Sequence, residues 1–420
     1  METEEKLALL GGAARYEVAG SGQPWLQRPP RPKQAASPRA PLFGALCTGE
    51  GNDGGRAGTL LRVLQSSRCE QDCAYCPLRR SNDPQRAAFA PEELASAFAS
   101  LQGRGKVDGL LLSSATDGTA DATMGQMLDT IRLLRTRHAY EGYVHLKVPP
   151  GTSRAALETA ATLADRLSLN VEVPSAGYLD GLQTGKRWQE DILDPLAWLH
   201  DLDQQGAIRA GISSQLLIGV SSPDAPGASD RALSQGSRAL RDRYALRRVH
   251  FGDFAPAPGT PLEGVAAPDP RRRARLYQLD WLATGYDFGT EEIDAAFDPQ
   301  GNLPLGLDPK LAVSLARPRE RPVDVQTAGL EELLRVPGIG PVSARRILEY
   351  RSSGALRDLA DLRAMGVAAT RAAPFVLLGG RRPPEAAAAL IRLQRKMQDI
   401  ASPVVQLPLF PEGAVPLSLG

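Results

Sequence analysis

The sequence predicts an α/β fold, a partial (β/α)6 barrel, followed by a small all-α domain. Six short, apolar, β-prone runs recur from about residue 58: TLLRVLQSS, GLLLSS, YVHLKVP, RLSLNVEVP, SQLLIGV and RRVHFGDF. Between them lie stretches such as PEELASAFASL and RAALETAATLADRL, whose apolar residues recur at helical spacing. Strands this apolar suit a parallel sheet with a helix-covered outer face. After the Pro/Gly/Asp stretch FDPQGNLPLGLDPK the texture turns helical and basic, residues 317–400 holding 15 Arg and Lys against 9 Asp and Glu.

In chain order, residues 1–57 read as a short helix and a Pro/Arg-rich arm that includes SGQPWLQRPPRPKQAASPRAP. Residues 58–290 form the barrel, 291–316 a linker, 317–380 the small helical domain and 381–420 a C-terminal tail without periodicity. A chain of 420 residues is long enough for more than one core. Its 49 basic and 48 acidic residues nearly cancel, so a nucleic acid or an anionic surface must be held by a local patch. Four Cys, three of them within eight positions, exclude a disulfide framework and imply a reducing, cytoplasmic setting. The N-terminus opens on acidic residues and no run of about 18 apolar residues occurs, so neither export nor membrane insertion is expected.

Cys69, Cys73 and Cys76 stand as CEQDCAYC directly after the first predicted strand. Three thiolates at this spacing can converge on one metal centre and leave one coordination position unfilled by the motif. Such a position is what a metal needs in order to bind substrate. Thiolates suit both zinc and iron-sulfur clusters, so the cysteines alone leave the metal open. Two plainer readings stand beside it: a zinc site closed by Cys47, 22 positions upstream, or incidental buried cysteines.

The CxxxCxxC spacing, Tyr75 just before the last Cys, and the place after the first strand of an α/β barrel together resemble the radical S-adenosylmethionine superfamily. The resemblance implies a [4Fe-4S] cluster on Cys69, Cys73 and Cys76 whose fourth iron chelates the methionyl amine and carboxylate of S-adenosyl-L-methionine. It also implies reductive cleavage to methionine and a 5′-deoxyadenosyl radical that abstracts a substrate hydrogen, fed by an electron donor such as flavodoxin or ferredoxin. The cofactor carries the hard chemistry, and the protein supplies binding and orientation. By position, Tyr75 lies beside the cofactor, and Ser113 and Ser114 match the second-strand segment whose backbone carbonyls receive the methionyl ammonium. Ser-Ser-Ala replaces the commoner Gly-Gly-Glu there. Asn170 and Glu172, at alternate positions of the fourth predicted strand, share a face where relatives bind ribose and sulfonium; the alternative is a polar layer inside the barrel. Gln215 on the fifth strand resembles the segment flanking adenine, and Lys147 points either inward toward an anionic group or out to solvent, with inward favoured because the outer face should be helix-covered.

LEELLRVPGIGPVSARRILEYR places Pro337, Gly338, Ile339 and Gly340 between two helical runs. The glycines permit a tight turn, and backbone amides at the following helix start make a ready anion site. Arg335, Arg345 and Arg346 surround the turn. The segment resembles the helix-hairpin-helix motif, which grips nucleic-acid phosphates without reading sequence; a purely structural or protein-binding hairpin is the alternative. DLADLRAMGVAATRAAPFV looks like a second, degenerate hairpin, and the pair resembles the two-hairpin module of competence-type DNA receptors.

KLALLGGAARYEV, CPLRRSND, GYVHLKVPPG, ADRLSLNVEVP, LYQLDWL and RVPGIGPVSARRI together resemble the radical S-adenosylmethionine proteins with a C-terminal helix-hairpin-helix that are described as DNA modification or repair proteins, across residues 4–380. DNA is the favoured polymer; an RNA-modifying enzyme and a non-catalytic, metal-containing DNA-binding accessory protein remain open. In the tail, Gln406, Leu407, Leu409 and Phe410 resemble the sliding-clamp-binding pentapeptide, with Pro408 a departure from its third position.

Overall fold

The computed structural model describes residues 1–14, 46–48, 58–182, 184–221, 227–318, 321–352 and 354–401. The Pro/Arg-rich arm and residues 406–410 lie outside them. The chain forms two compact units, Met1–Asp280 with Pro299–Leu303, and Trp281–Asp298 with residues from 304 onward.

The first unit is a seven-stranded sheet whose strands stand in sequence order. A three-residue strand β1 (Leu46–Thr48) pairs antiparallel with β2 (Thr59–Leu64). From there β3 (Gly109–Ser113), β4 (Val144–Lys147), β5 (Arg166–Ser168), β6 (Ile212–Ile218) and β7 (Arg248–Asp253) each pair in parallel with the strand before. Sequential parallel order with helical crossovers is the course of a barrel wall, and no β2–β7 pairing closes it among the described residues. All six predicted barrel strands are present. The short antiparallel edge was not foreseen, because three residues carry no period to detect.

Burial explains the apolar runs. Every residue of β3, β4, β5 and β6 is buried. The crossover helices include α2 (Pro91–Gly103), α3 (Ala120–Thr136), α4 (Arg154–Leu163), α6 (Asp194–Gln204) and α7 (Asp230–Tyr244); α1 (Thr3–Ala13) precedes the sheet and the four-residue α5 (Ala176–Leu179) follows β5. Three crossovers start on hydroxyl caps, Thr119, Ser153 and Ser229 accepting from the N–H groups of Ala122, Ala156 and Ala232. The helix α8 (Pro270–Gly285) follows β7.

The second unit holds α9 (Thr290–Asp294), α10 (Pro309–Ala316), α11 (Leu330–Arg335), α12 (Pro341–Tyr350), α13 (Leu359–Ala364), α14 (Ala369–Ala372) and α15 (Ala386–Ala401). Its core gathers Leu333, Ile339, Ala344, Ile347, Leu362 and Ala372, so both hairpins share one apolar centre. The expected all-α character needs one amendment: β8 (Val323–Asp324) and β9 (Val376–Leu377) form a parallel pair of two residues each. Residues 291–316, read from sequence as a connection, carry most of α9 and all of α10, which Asp308 caps by accepting from Leu311 N–H.

Candidate functional site

In the first unit a cavity of about 210 Å³ opens at the C-terminal ends of the parallel strands. It is the end at which α/β sheets place ligands, since loops there diverge. Cys69, Tyr75, Ser113, Ser114, Asn170, Glu172 and Gln215 all line it, with Cys73 and Cys76. The structure thus draws every sequence-nominated barrel residue to one wall system.

The cysteine loop is held by its neighbours. Arg86 donates to four carbonyls, those of Ser67 and Leu78 through Nη1 at 2.8 and 3.2 Å and those of Arg79 and Asn82 through Nη2 at 2.8 and 2.9 Å. Asp72 accepts from Arg79 Nε at 2.7 Å and from Ser81 Oγ at 2.8 Å, bonds that hold its carboxyl well below the usual carboxylate range. Within the loop, Cys76 N–H donates to Cys73 O at 3.1 Å, and Ala74 N–H to Leu182 O at 2.9 Å. Burial raises the Cys73 thiol and pushes Cys76 up to about 12, so both are neutral thiols without a metal; coordination deprotonates a thiol outright. Among the described residues no group of three or more His, Cys, Asp or Glu is arranged to hold a metal ion.

Cys47 stands elsewhere. It pairs in β1 with Leu60 and, like Tyr143, packs against the buried cluster of Leu60 and Leu111. Leu60 is at the start of β2, and the four residues to Leu64 span roughly 13 Å. Cys47 is not among the residues lining the cavity, so nothing in its placement supports a zinc site closed by that thiol.

A polar chain lines the same cavity as the cysteines. Lys147, 7% exposed and pointing inward, donates from Nζ to Asn170 Oδ1 at 3.1 Å, and Asn170 Nδ2 donates to Glu172 Oε1 at 3.1 Å. The alternation argument that joined Asn170 to Glu172 needs correction, because β5 ends at Ser168 and Glu172 has φ +67°. A left-handed glutamate is uncommon and strained. It is pinned by its own N–H on Gln215 O at 2.9 Å and by Leu217 N–H on its carbonyl at 2.7 Å. Ser113 lines the cavity; its carbonyl accepts from Gln65 N–H at 2.7 Å, while its buried Oγ has no hydrogen-bond partner. Ser114 Oγ donates to Ala115 O at 2.7 Å.

Two lining residues were missed from sequence. Lys186 lies in TGKRW, which carries no periodic signal. Burial pulls its ammonium down, but Cys73, Glu172, Cys76 and Cys69 together carry its pKa above the ordinary value. Asp253 is the last residue of β7, and its place at the C-terminal end of a barrel strand was the available signal. Its Oδ2 pairs with Arg273 at 3.1 Å, whereas Oδ1 is buried without a hydrogen-bond partner. Burial raises its pKa against the opposing pull of Arg273 and Arg272.

In the second unit the turn between α11 and α12 is built as the sequence suggested. Gly338 has φ +90°, and a Cβ there would meet Ala368 O at 2.7 Å, so only glycine fits. Its carbonyl accepts from Ala368 N–H at 3.0 Å, and Ser343 Oγ donates to Gly366 O at 2.9 Å, locking the two hairpins together. Pro337 and Ile339 are buried and anchor the turn. Pro341 starts α12 after Gly340, and the amides of Val342 and Ser343 in its first turn have no intrahelical acceptor. Arg345 and Arg346 are exposed on α12. Arg335 is not a free arm: Nε and Nη2 bond Glu292 at 3.0 Å each, and the guanidinium lies 4.9 Å over the Phe288 ring. A residue the sequence reading assigned to the linker braces the turn, since buried Lys310 donates to Ile339 O at 2.6 Å.

No helix of the described residues is long and apolar enough to cross a membrane. No curated protein matches the chain. Among solved structures, HydG, a maturase of the [FeFe]-hydrogenase, is similar at 14% identity and TM-score 0.40, over 51% of this chain and 46% of that one. Methylornithine synthase (PylB) is similar at 17% identity and TM-score 0.39, over 65% of this chain and 66% of that one. The FeFe-hydrogenase maturase HydG from Carboxydothermus hydrogenoformans is similar at 18% identity and TM-score 0.37, over 51% and 49%. The chain spans about half the length of either HydG chain. Residues 319–366 match the family model described as a helix-hairpin-helix motif.

Proposed function

We propose that the protein is a radical S-adenosylmethionine enzyme acting on nucleic acid, with DNA the favoured polymer and modification or repair the outcome. The observation that carries this reading is the convergence of Cys69, Cys73 and Cys76 with a polar wall on one cavity at the C-terminal ends of the parallel strands. By chemistry the donor set fits a [4Fe-4S] cluster, as three soft thiols from one loop would leave one iron for a ligand, although the three thiols are not arranged to hold a single metal ion. When bound, such a cluster with S-adenosylmethionine supplies reductive cleavage and hydrogen abstraction by a 5′-deoxyadenosyl radical.

The chain's own residues bind and orient. Lys186 sets a positive charge beside the thiols, balancing the negative charge that thiolate ligation creates. Lys147, Asn170 and Glu172, fixed in a hydrogen-bonded chain, present polar edges to the cofactor, as do Ser113, Ser114 and Gln215. Tyr75 walls the cysteine side. Asp253 offers a buried oxygen to a hydrogen-bond donor. In the second unit the Gly338–Gly340 turn, the first amides of α12, Arg345 and Arg346 hold backbone phosphates, which positions a polymer without reading bases. A flavodoxin- or ferredoxin-like protein would supply electrons.

The test is anaerobic reconstitution with iron and sulfide, followed by dithionite and S-adenosylmethionine and detection of 5′-deoxyadenosine by mass, with Cys73→Ala as control. Cleavage dependent on Cys73 supports the reading; a colourless zinc protein without cleavage overturns it in favour of an accessory nucleic-acid-binding role. Comparing the salt dependence of affinity for duplex DNA and structured RNA assigns the polymer. The tail motif is a separate proposal, that Gln406, Leu407, Leu409 and Phe410 dock on the sliding clamp. Loss of clamp binding in a Leu409→Ala/Phe410→Ala variant supports it, and no binding by the intact protein ends it.

A further inference from the structure

The second unit contains a cavity of about 510 Å³, within the size range of ligand pockets. It does not coincide with the first turn of α12, where phosphate contact was placed. Its walls are apolar and ring-bearing: Phe288 is buried, Phe375 is half-buried, and prolines 318, 322, 337 and 374 fill between them. Its charges are guanidinium groups. Arg317, Arg321 and Arg382 are exposed at the lining, and Arg335 is held inside over Phe288. Glu292 is the one carboxylate residue lining it among the described residues, and Arg335 takes both its oxygens. Arg317 has a partner in Glu291, at 3.6 Å.

Arg335 is the informative member. Its Nε and Nη2 are committed to Glu292, and Nη2 also to the Asp287 carbonyl at 2.9 Å. Nη1 is buried and has no hydrogen-bond partner. A buried donor left open costs free energy unless a ligand or water takes it. Rigidly held and carrying two N–H groups, Nη1 suits the acceptor edge of a planar ligand. An aromatic wall, a buried unpartnered donor on a lining residue and peripheral guanidinium groups form the combination that receives a base and its phosphate in single-stranded recognition.

We propose that this cavity seats one unpaired nucleotide of a nucleic-acid strand, its base against Phe375 and facing Arg335 Nη1, and its phosphate on Arg321 and Arg382. The proposal rests on the reading of this unit as a nucleic-acid module and deepens it. The hairpin turn grips backbone irrespective of structure, while the cavity selects a site where a base is out of the stack, such as an overhang, a bulge or a flipped nucleotide.

The experiment uses the full chain and fluorescence anisotropy with three labelled DNA probes of one length: a blunt duplex, the duplex with one unpaired thymidine, and the duplex with an abasic residue at that place. Wild type is compared with Phe375→Leu, with Arg321→Gln/Arg382→Gln and with Arg345→Gln/Arg346→Gln, and thermal melting checks folding. The unpaired thymidine is expected to raise affinity about tenfold over the blunt duplex, the worth of one stacked base, and the abasic probe to lose that gain. Phe375→Leu and Arg321→Gln/Arg382→Gln should lose the gain, whereas the Arg345/Arg346 variant should weaken all probes alike. If Phe375→Leu does not fold, the exposed arginine pair still decides. Equal wild-type affinity for blunt and unpaired duplexes, or a gain retained in the arginine-pair variant, overturns the cavity proposal and leaves the nucleic-acid reading standing. No binding to any probe removes both. Displacement of the unpaired probe by free thymidine monophosphate as readily as by unlabelled unpaired duplex overturns the strand in favour of a free nucleotide.

Discussion

The cysteine loop of the barrel and the Gly338 turn of the helical unit offer chemistry in opposite ways. In the loop the groups proposed to act are side chains, and other side chains hold the backbone still: Arg86 on four carbonyls, Asp72 on Arg79 and Ser81. In the turn the group proposed to act is the backbone, and the absence of a side chain permits its course, because Gly338 sits at φ +90° with Ala368 O where a Cβ would go. Changing a cysteine should therefore remove chemistry and leave the fold. Changing the glycine should remove the fold of the turn and its chemistry together.

The largest expected effect tests the independence of the two. Cys73→Ala should abolish bound iron and 5′-deoxyadenosine formation while leaving duplex affinity within error; a matching loss of duplex affinity would break the comparison. Gly338→Ala should do the converse, costing the helical unit about 1–3 kcal/mol through left-handed strain, with the clash at Ala368 added, measured by melting and by lost duplex binding at undiminished iron content. Arg86→Met sharpens the loop side. It removes four hydrogen bonds, a cost on the order of 2–4 kcal/mol spread over the loop, and should show as faster iron loss to a chelator with all three cysteines intact.

A smaller effect probes the brace under the turn. Burial, with Arg335 nearby, lowers the Lys310 pKa to about 7. Between that value and the ordinary lysine range the unfolded chain binds the extra proton, so stability should rise with pH from about 7 toward 10, and the penalty should be fullest below 7. Lys310→Met removes this dependence, so the stability of wild type relative to the variant should increase across that window, by at most about 1.4 kcal/mol per pH unit. A flat difference between wild type and variant would show that Lys310 does not titrate there.

Much of this arrangement was open to reading in the sequence. Parallel strands covered on both faces become apolar runs, so all six barrel strands could be counted, and the cysteine loop after the first of them could be placed at the C-terminal end. Gly338 and Gly340 flanking Ile339 marked a turn because glycine permits conformations other residues resist. The parts that escaped had weak local signals. β1 is three residues long, α10 is a short helix behind an Asp-Pro cap, and Lys186 sits in a loop without period. Asn170 and Glu172 were paired by strand alternation, yet the strand stops at Ser168, and a strained Glu172 backbone and a direct hydrogen bond bring them together.

What the sequence by itself determined is therefore the order of elements and the chemical groups at their ends, because period, glycine and thiol are properties of the chain. Only the tertiary structure decided that Cys47 lies apart from the other three thiols, that Asp253 and Lys186 face the same cavity as the cysteines, and that Arg335 is tied to Glu292, lines a second cavity and keeps a buried Nη1 without a hydrogen-bond partner. Each of these depends on which groups distant in sequence are brought together and on whether burial leaves them satisfied, and neither is written in local pattern.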